Sequence, residues 1–109
     1  EAIIVVSSRL IQDNQVRILE FAAKQRLPII GDWGRWAPDG ALLSYGPDST
    51  QLAARLVTYV DKILKGAKAA DLPVERPSKF ELVINLKTAK QIGFTIPPNV
   101  LARADRVIK

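Results

Sequence analysis

Few side chains in this 109-residue chain can do bond-making chemistry, and their types narrow the field quickly. There is no Cys and no His. Ser7, Ser8 and Ser44 therefore have no ordinary base partner for nucleophilic attack, and thiolate or imidazole metal sites are excluded. Asp32, Asp39 and Asp48 are spread over turns and caps rather than clustered as ligands. Gly31 and Gly34 do not form a phosphate-cradling Gly-rich turn before a helix, and no Gly-Lys-Ser/Thr sequence occurs. Paired carboxylates for acid–base work are not evident. Catalysis is not expected, and neither is a cofactor or a metal.

The side chains that remain suit reversible binding. Trp33 and Trp36 lie in the loop Gly31-Asp32-Trp33-Gly34-Arg35-Trp36 and could form an aromatic wall for a small organic ligand; covering a sheet end is the structural alternative. Ser7, Ser8 and Arg9 could hold a carboxylate through hydroxyls, helix-start N–H groups and a guanidinium, or Ser8 could simply cap a helix. Ser44-Tyr45-Gly46-Pro47 reads as strand end, turn and helix entry, with Ser44 or Tyr45 facing a cleft. The candidate ligand-binding set is Ser7, Ser8, Asp32, Trp33, Ser44 and Tyr45.

The elements that must position these residues follow from periodicity. Residues 2–7 form a β-branched run suited to a strand buried on both faces. Residues 11–25 read as a helix with Val16, Leu19, Ala22 and Ala23 on one face. A short strand at 27–30 and another at 41–45 flank the Gly/Trp loop, and Gly46-Pro47 is expected to break the second. Asp48 caps a helix, with Gln51 in the capping-box position, and Gly66 ends it. A connector with Pro73 and Pro77 covers 67–78. A fourth strand covers 79–84, Asn85 caps a short helix ending at Gly93, and Pro97-Pro98 opens a final helix carrying Val100, Leu101 and Ala104. Strands alternating with helices predict an α/β fold of three layers, with a largely parallel sheet of about four strands. In such sheets ligands bind beyond the carboxyl ends of the strands, where the three candidate loops fall.

Hydrophobic content of 48% and charged content of 25% are those of a globular domain. The net charge of +5 comes from sixteen Lys and Arg scattered along the chain, mostly on helix faces, which reads as a solvated surface. No apolar run approaches the ~20 residues that span a bilayer. The chain starts at Glu1 and enters an apolar strand at once, so a longer polypeptide is expected upstream.

Leu42-Leu43-Ser44-Tyr45-Gly46-Pro47-Asp48, residues 59–68, the stretch from Asp71 to Gly93 and Thr95-Ile96-Pro97-Pro98 together resemble the C-terminal part of a family of ABC-transporter substrate-binding proteins, the tryptophan/tyrosine-uptake-like group of the type I periplasmic binding proteins. The resemblance covers nearly the whole chain and is densest from Leu42 to Pro98. It implies a single domain over 1–109, the C-terminal lobe plus closing crossover segments of a larger two-lobed protein. It also implies binding of a small-molecule solute in an interlobe cleft and delivery to an ABC permease. The location implied is periplasmic or otherwise extracytoplasmic, by a lipid anchor in a Gram-positive organism. The helix after Gly46-Pro47 would pack with the N-terminal lobe, so Leu52, Leu56, Tyr59 and Ile63 would lack partners here. A homodimer of this fragment, or repacking of its last helices, is expected to cover them. The loops departing from the family pattern are Ser7-Ser8-Arg9 and Gly31–Trp36, so the ligand is not carried over; an aromatic amino acid is one candidate. An effector-binding or nucleic-acid-associated regulatory module is the alternative, although no helix-turn-helix or clustered basic face supports contact with nucleic acid.

Overall fold

The computed structural model describes residues 1–109. Five strands form one sheet in the order β1-β2-β3-β4-β5, with β1 Ile3–Val5, β2 Ile29–Gly31, β3 Leu43–Pro47, β4 Phe80–Asn85 and β5 Arg106–Ile108. Pairing is parallel from β1 to β2, from β2 to β3 and from β4 to β5. The helices are α1 Arg9–Asp13, α2 Gln15–Gln25, α3 Trp36–Asp39, α4 Ser49–Leu64, α5 Leu86–Ile92 and α6 Pro98–Leu101. The expected α/β architecture is present. The chain divides into two compact units, one of residues 1–46 with 81–109 and one of residues 47–80.

The first unit holds the sheet. Val5, Ala22, Ile29, Trp36 and Ala41 form its core, with Ile11, Ile18 and Leu19 packed against them. A second buried group, Leu42, Val83, Ile84 and Ala89, lies around the middle strands. The strand β1 is shorter than expected and only Val5 of it is buried; Ile4 and Val6 are exposed. Ile3 and Val5 point to the face that the core covers, and Ile4 and Val6 point to the opposite face, which is open. The helix expected over 11–25 is two helices. Ser8 caps α1, Asn14 interrupts, and Arg26 closes α2 with φ 52°. The last segment departs most from expectation. The helix after Pro97 has only four residues, and Arg106–Ile108 forms a fifth strand beyond it. Asp105 secures that strand: its N–H donates to the Leu82 carbonyl (2.9 Å) and its carboxylate accepts from the Leu82 N–H (2.8 Å).

Gly46 and Pro47 do not break β3; they are its last two residues. Proline is tolerated at position 47 because the Asp48 N–H, not its own, bonds to the returning chain, and β2 pairs with β3 only as far as Ser44. The middle pair is antiparallel. Asn85 N–H donates to the Leu42 carbonyl (2.9 Å), and Asp48 N–H donates to the Lys79 carbonyl (3.1 Å), so moving forward along one segment moves backward along the other. That register sets Glu81 across from Gly46 and Val83 across from Ser44.

The second unit is α4 with the connector running back along it. Asp48 caps α4, accepting from Thr50 N–H (2.9 Å) and Gln51 N–H (3.2 Å). Gln51 does not complete a capping box, because the Asp48 N–H is taken by Lys79; its Oε1 instead accepts from Ser78 Oγ at 3.5 Å. One helical turn onward the Arg55 guanidinium pairs with the Glu75 carboxylate, and a turn further Tyr59 Oη donates to the Pro73 carbonyl (2.5 Å). Four helical residues rise ~6 Å, and two extended residues at ~3.1 Å each span about the same, so the Pro-punctuated connector can meet one ridge of the helix turn after turn. Between them lies a groove of about 900 Å³, lined by Leu52, Leu56, Tyr59, Ile63, Leu72 and Val74 among others.

The docking of the connector on α4 is expected to be pH-sensitive at both extremes. The Arg55 guanidinium holds Glu75 below its ordinary 4.5, and the Gln51 N–H holds Asp48 below 3.8. Carboxyls depressed by folding stabilise above those ordinary values, and the contribution is lost as pH falls through the lower folded values. Desolvation, with the Glu75 charge beside it, pushes the Tyr59 phenol above 10.0. Its contribution is full below 10.0 and lost as pH rises through the folded value. Helical circular dichroism across pH should fall at both ends, and Glu75→Gln should shallow the acid limb. Identical acid limbs in wild type and variant would disprove this assignment.

Candidate functional site

The carboxyl ends of β1 and β2 bring Ser7 and Asp32 together. The Ser7 N–H donates to Asp32 Oδ2 (2.7 Å), Ser7 Oγ donates to Asp32 Oδ1 (2.5 Å), and Trp36 Nε1 donates to Ser7 Oγ (3.4 Å). Parallel pairing of β1 with β2 places these two strand ends side by side, so residues twenty-five apart in sequence meet without any loop having to stretch. The result is a pinned turn. Asp32 anchors its start, and Trp36 is buried in the core at its end. Trp33, between them, keeps 38% of its surface in solvent.

Two glycines make the close approach possible. A Cβ on Gly46 would lie 1.8 Å from the Asp32 carbonyl oxygen, so the turn rests directly on β3. A Cβ on Gly31 would lie 2.3 Å from Trp36 Cβ and Cγ, so the indole sits against the end of β2.

The candidate residues thus separate into groups. Ser7, Asp32 and Trp33 belong to one turn at the strand ends. Ser8 Oγ accepts from the Ile11 N–H (3.3 Å) and is the cap of α1. Ser44 and Tyr45 do not share a surface. Consecutive strand residues point to opposite faces, and Ser44 is fully enclosed while Tyr45 is 57% exposed. The expectation that Ser44 faces a cleft is therefore corrected: it lies beneath the turn. Its Oγ has no hydrogen-bond partner. Ser44→Ala removes an unpaired buried hydroxyl and is expected to leave stability unchanged or raise it by about 1 kcal/mol. A loss above ~1 kcal/mol in urea unfolding would mean that the hydroxyl is satisfied after all.

Glu81 was not a candidate from sequence. It is the second residue of the return strand β4, and one of its carboxylate oxygens lies 3.2 Å from where a Cβ on Gly34 would be. Its other oxygen is 3.9 Å from Arg106 Nε, beyond hydrogen-bond distance. The only sequence signal was the alternation Glu81-Leu82-Val83, which reads equally well as a solvated strand position. No group of three or more acidic side chains is placed to hold a metal ion, and no helix is long and apolar enough to cross a membrane.

An α/β sheet with a pinned aromatic turn beyond its strand ends has the form of a ligand-binding surface. The chain belongs to the family described as ABC transporter substrate binding protein, whose model matches residues 1–108. Among solved structures it is similar to a conserved domain protein from Vibrio cholerae, at 30% identity and TM-score 0.92, over 97% of this chain and 36% of that one. It is also similar to an ABC domain from Streptococcus pneumonia in complex with L-Trp, at 33% identity and TM-score 0.89, over 98% of this chain and 37% of that one. An open, ligand-free substrate binding protein with adhesive properties from Clostridium difficile shares the fold at 22% identity and TM-score 0.65. No curated protein gives a significant match. The chain thus spans little more than a third of the length of the two more similar structures.

Proposed function

We propose that this chain is the C-terminal lobe, with closing crossover segments, of a longer solute-binding protein that serves an ABC importer outside the cytoplasm. It binds a small organic solute reversibly, without catalysis, in a cleft completed by a second lobe and hands it to a membrane permease. An aromatic amino acid is the favoured solute. The observation that carries this reading is the turn in which Ser7 holds Asp32, Trp36 donates to Ser7, and Trp33 stays half-exposed between them. Trp33 stacks on the solute, and Asp32 keeps lone pairs free to accept from it. Tyr45 lies where the chain leaves for its crossover. The likeness to a domain holding L-Trp supports an aromatic ligand.

One lobe alone offers one wall and incomplete exclusion of water, so binding by this chain is weak. Ligand-observed NMR with L-tryptophan and L-tyrosine should show saturable binding weaker than micromolar, lost in Trp33→Ala. Micromolar affinity in the isolated chain would contradict the half-site reading. Binding indifferent to Trp33 would contradict the site itself.

A further inference from the structure

We infer that Glu81 is the acceptor for a cationic nitrogen on the solute, which makes the preferred solute class an aromatic amine or amino acid; this rests on the solute-binding reading above. Glu81 is the second residue of β4, across from Gly46, and Gly46 lies against Asp32 and Trp33. Side chains directly opposite on an antiparallel pair share a face. The Glu81 carboxylate therefore emerges on the same face as the pinned turn, and its Oε2 rests beside Gly34, the residue after Trp33.

The carboxylate is underused by the protein. Its side chain is only 30% exposed, yet it accepts no hydrogen bond from the chain, and Arg106 stands off at 3.9 Å. A carboxylate has about four acceptor positions, and the protein fills none of these at hydrogen-bond distance, which leaves them open to solvent or to a donor on the solute. Trp33 precedes Gly34 in the turn, and an indole ring face attracts cations through its quadrupole. Gly34 keeps the space open, because any side chain there would crowd Oε2. An ammonium group on an aromatic skeleton satisfies the carboxylate and the ring together, and a neutral or anionic solute does not.

The long-range field opposes this preference. With a net charge of +5 the chain as a whole favours anions. A preference for an amine must therefore come from the local site, which makes it diagnostic. The test compares tryptamine, L-tryptophan and indole-3-propionate by ligand-observed NMR at 0.15 M salt. Tryptamine and L-tryptophan should bind about fivefold or more tightly than indole-3-propionate. Glu81→Gln should abolish that gap while indole-3-propionate binding holds or improves. Gly34→Ala, which retains the carboxylate charge but crowds Oε2, should narrow the gap, and circular dichroism should show both variants folded. Equal binding of all three ligands, or a gap that survives Glu81→Gln, overturns the assignment of Glu81 and leaves the solute site standing. Failure of all three to bind overturns the solute-site reading and this inference with it.

Discussion

Gly46→Ala is expected to destabilise the chain by about 3 kcal/mol and lower its melting temperature by roughly 12 °C or more. The added methyl would stand 1.8 Å from the Asp32 carbonyl oxygen, 2.8 Å from the carbonyl carbon and 3.4 Å from Trp33 Cα. All three are backbone atoms, so no side-chain rotation relieves the clash. Gly46 does not have a positive φ, and its requirement is one of space, not of conformation. The turn must lift from β3 or the strand must bend. Lifting it strains the Ser7–Asp32 hydrogen bonds and displaces Trp33. Solute binding should therefore fall in variant molecules that remain folded. Thermal unfolding followed by near- and far-ultraviolet circular dichroism tests the first part. A melting temperature within ~2 °C of wild type would show that the turn yields cheaply and does not rest on the strand as described.

The same position shows how far the sequence could be read. Gly46-Pro47 carries two ordinary signals for a strand break, and the capping Asp48 strengthens them. The break is absent because the ladder continues past Gly46 to the Asp48–Lys79 bond. Pairing with a segment that returns only after the whole of α4 and the connector overrides local propensity. The α4 cap, its Gly66 terminus and the Asn85 cap of α5 were legible because they depend on neighbours a few residues away. The strand β5 was not, since Arg106-Val107-Ile108 is too short to show a period and is fixed by Asp105 binding Leu82.

The site divides along the same line. The loops at the strand ends were legible from alternation of strands and helices, which fixes where carboxyl ends fall. The partners inside the site were not. Ser7 and Asp32 each read as polar loop residues; only parallel pairing of β1 with β2 turns them into one network. Ser44 looked like a ligand contact because it precedes Tyr45 in a polar strand end. Strand alternation already denied both a common face, and the coverage of β3 by the 32–36 turn decides which one is enclosed. Glu81 became visible only through the register that sets it across from Gly46.

Trp36→Ala should be the most damaging single truncation, costing about 3–5 kcal/mol. Trp36 is 3% exposed and belongs to the core with Val5, Ala22, Ile29 and Ala41. It also lies against Gly31, so the vacated volume borders a backbone that cannot expand to fill it. For a domain of this size the loss approaches the whole of the stability available, ~5–15 kcal/mol. Trp36→Phe refills most of the volume and gives up the long bond from Nε1 to Ser7 Oγ, so a cost of about 1–2 kcal/mol is expected. The phenylalanine variant has a second use. The chain has two tryptophans, so Trp36→Phe leaves Trp33 as the sole indole emitter. Its emission should be that of a half-exposed ring, and it should shift when a non-fluorescent aliphatic amine is titrated against the turn. Urea unfolding separates the two variants. If Trp36→Ala and Trp36→Phe unfold at the same urea concentration, the indole is not packed in the core, and the turn that presents Trp33 is not held from that end.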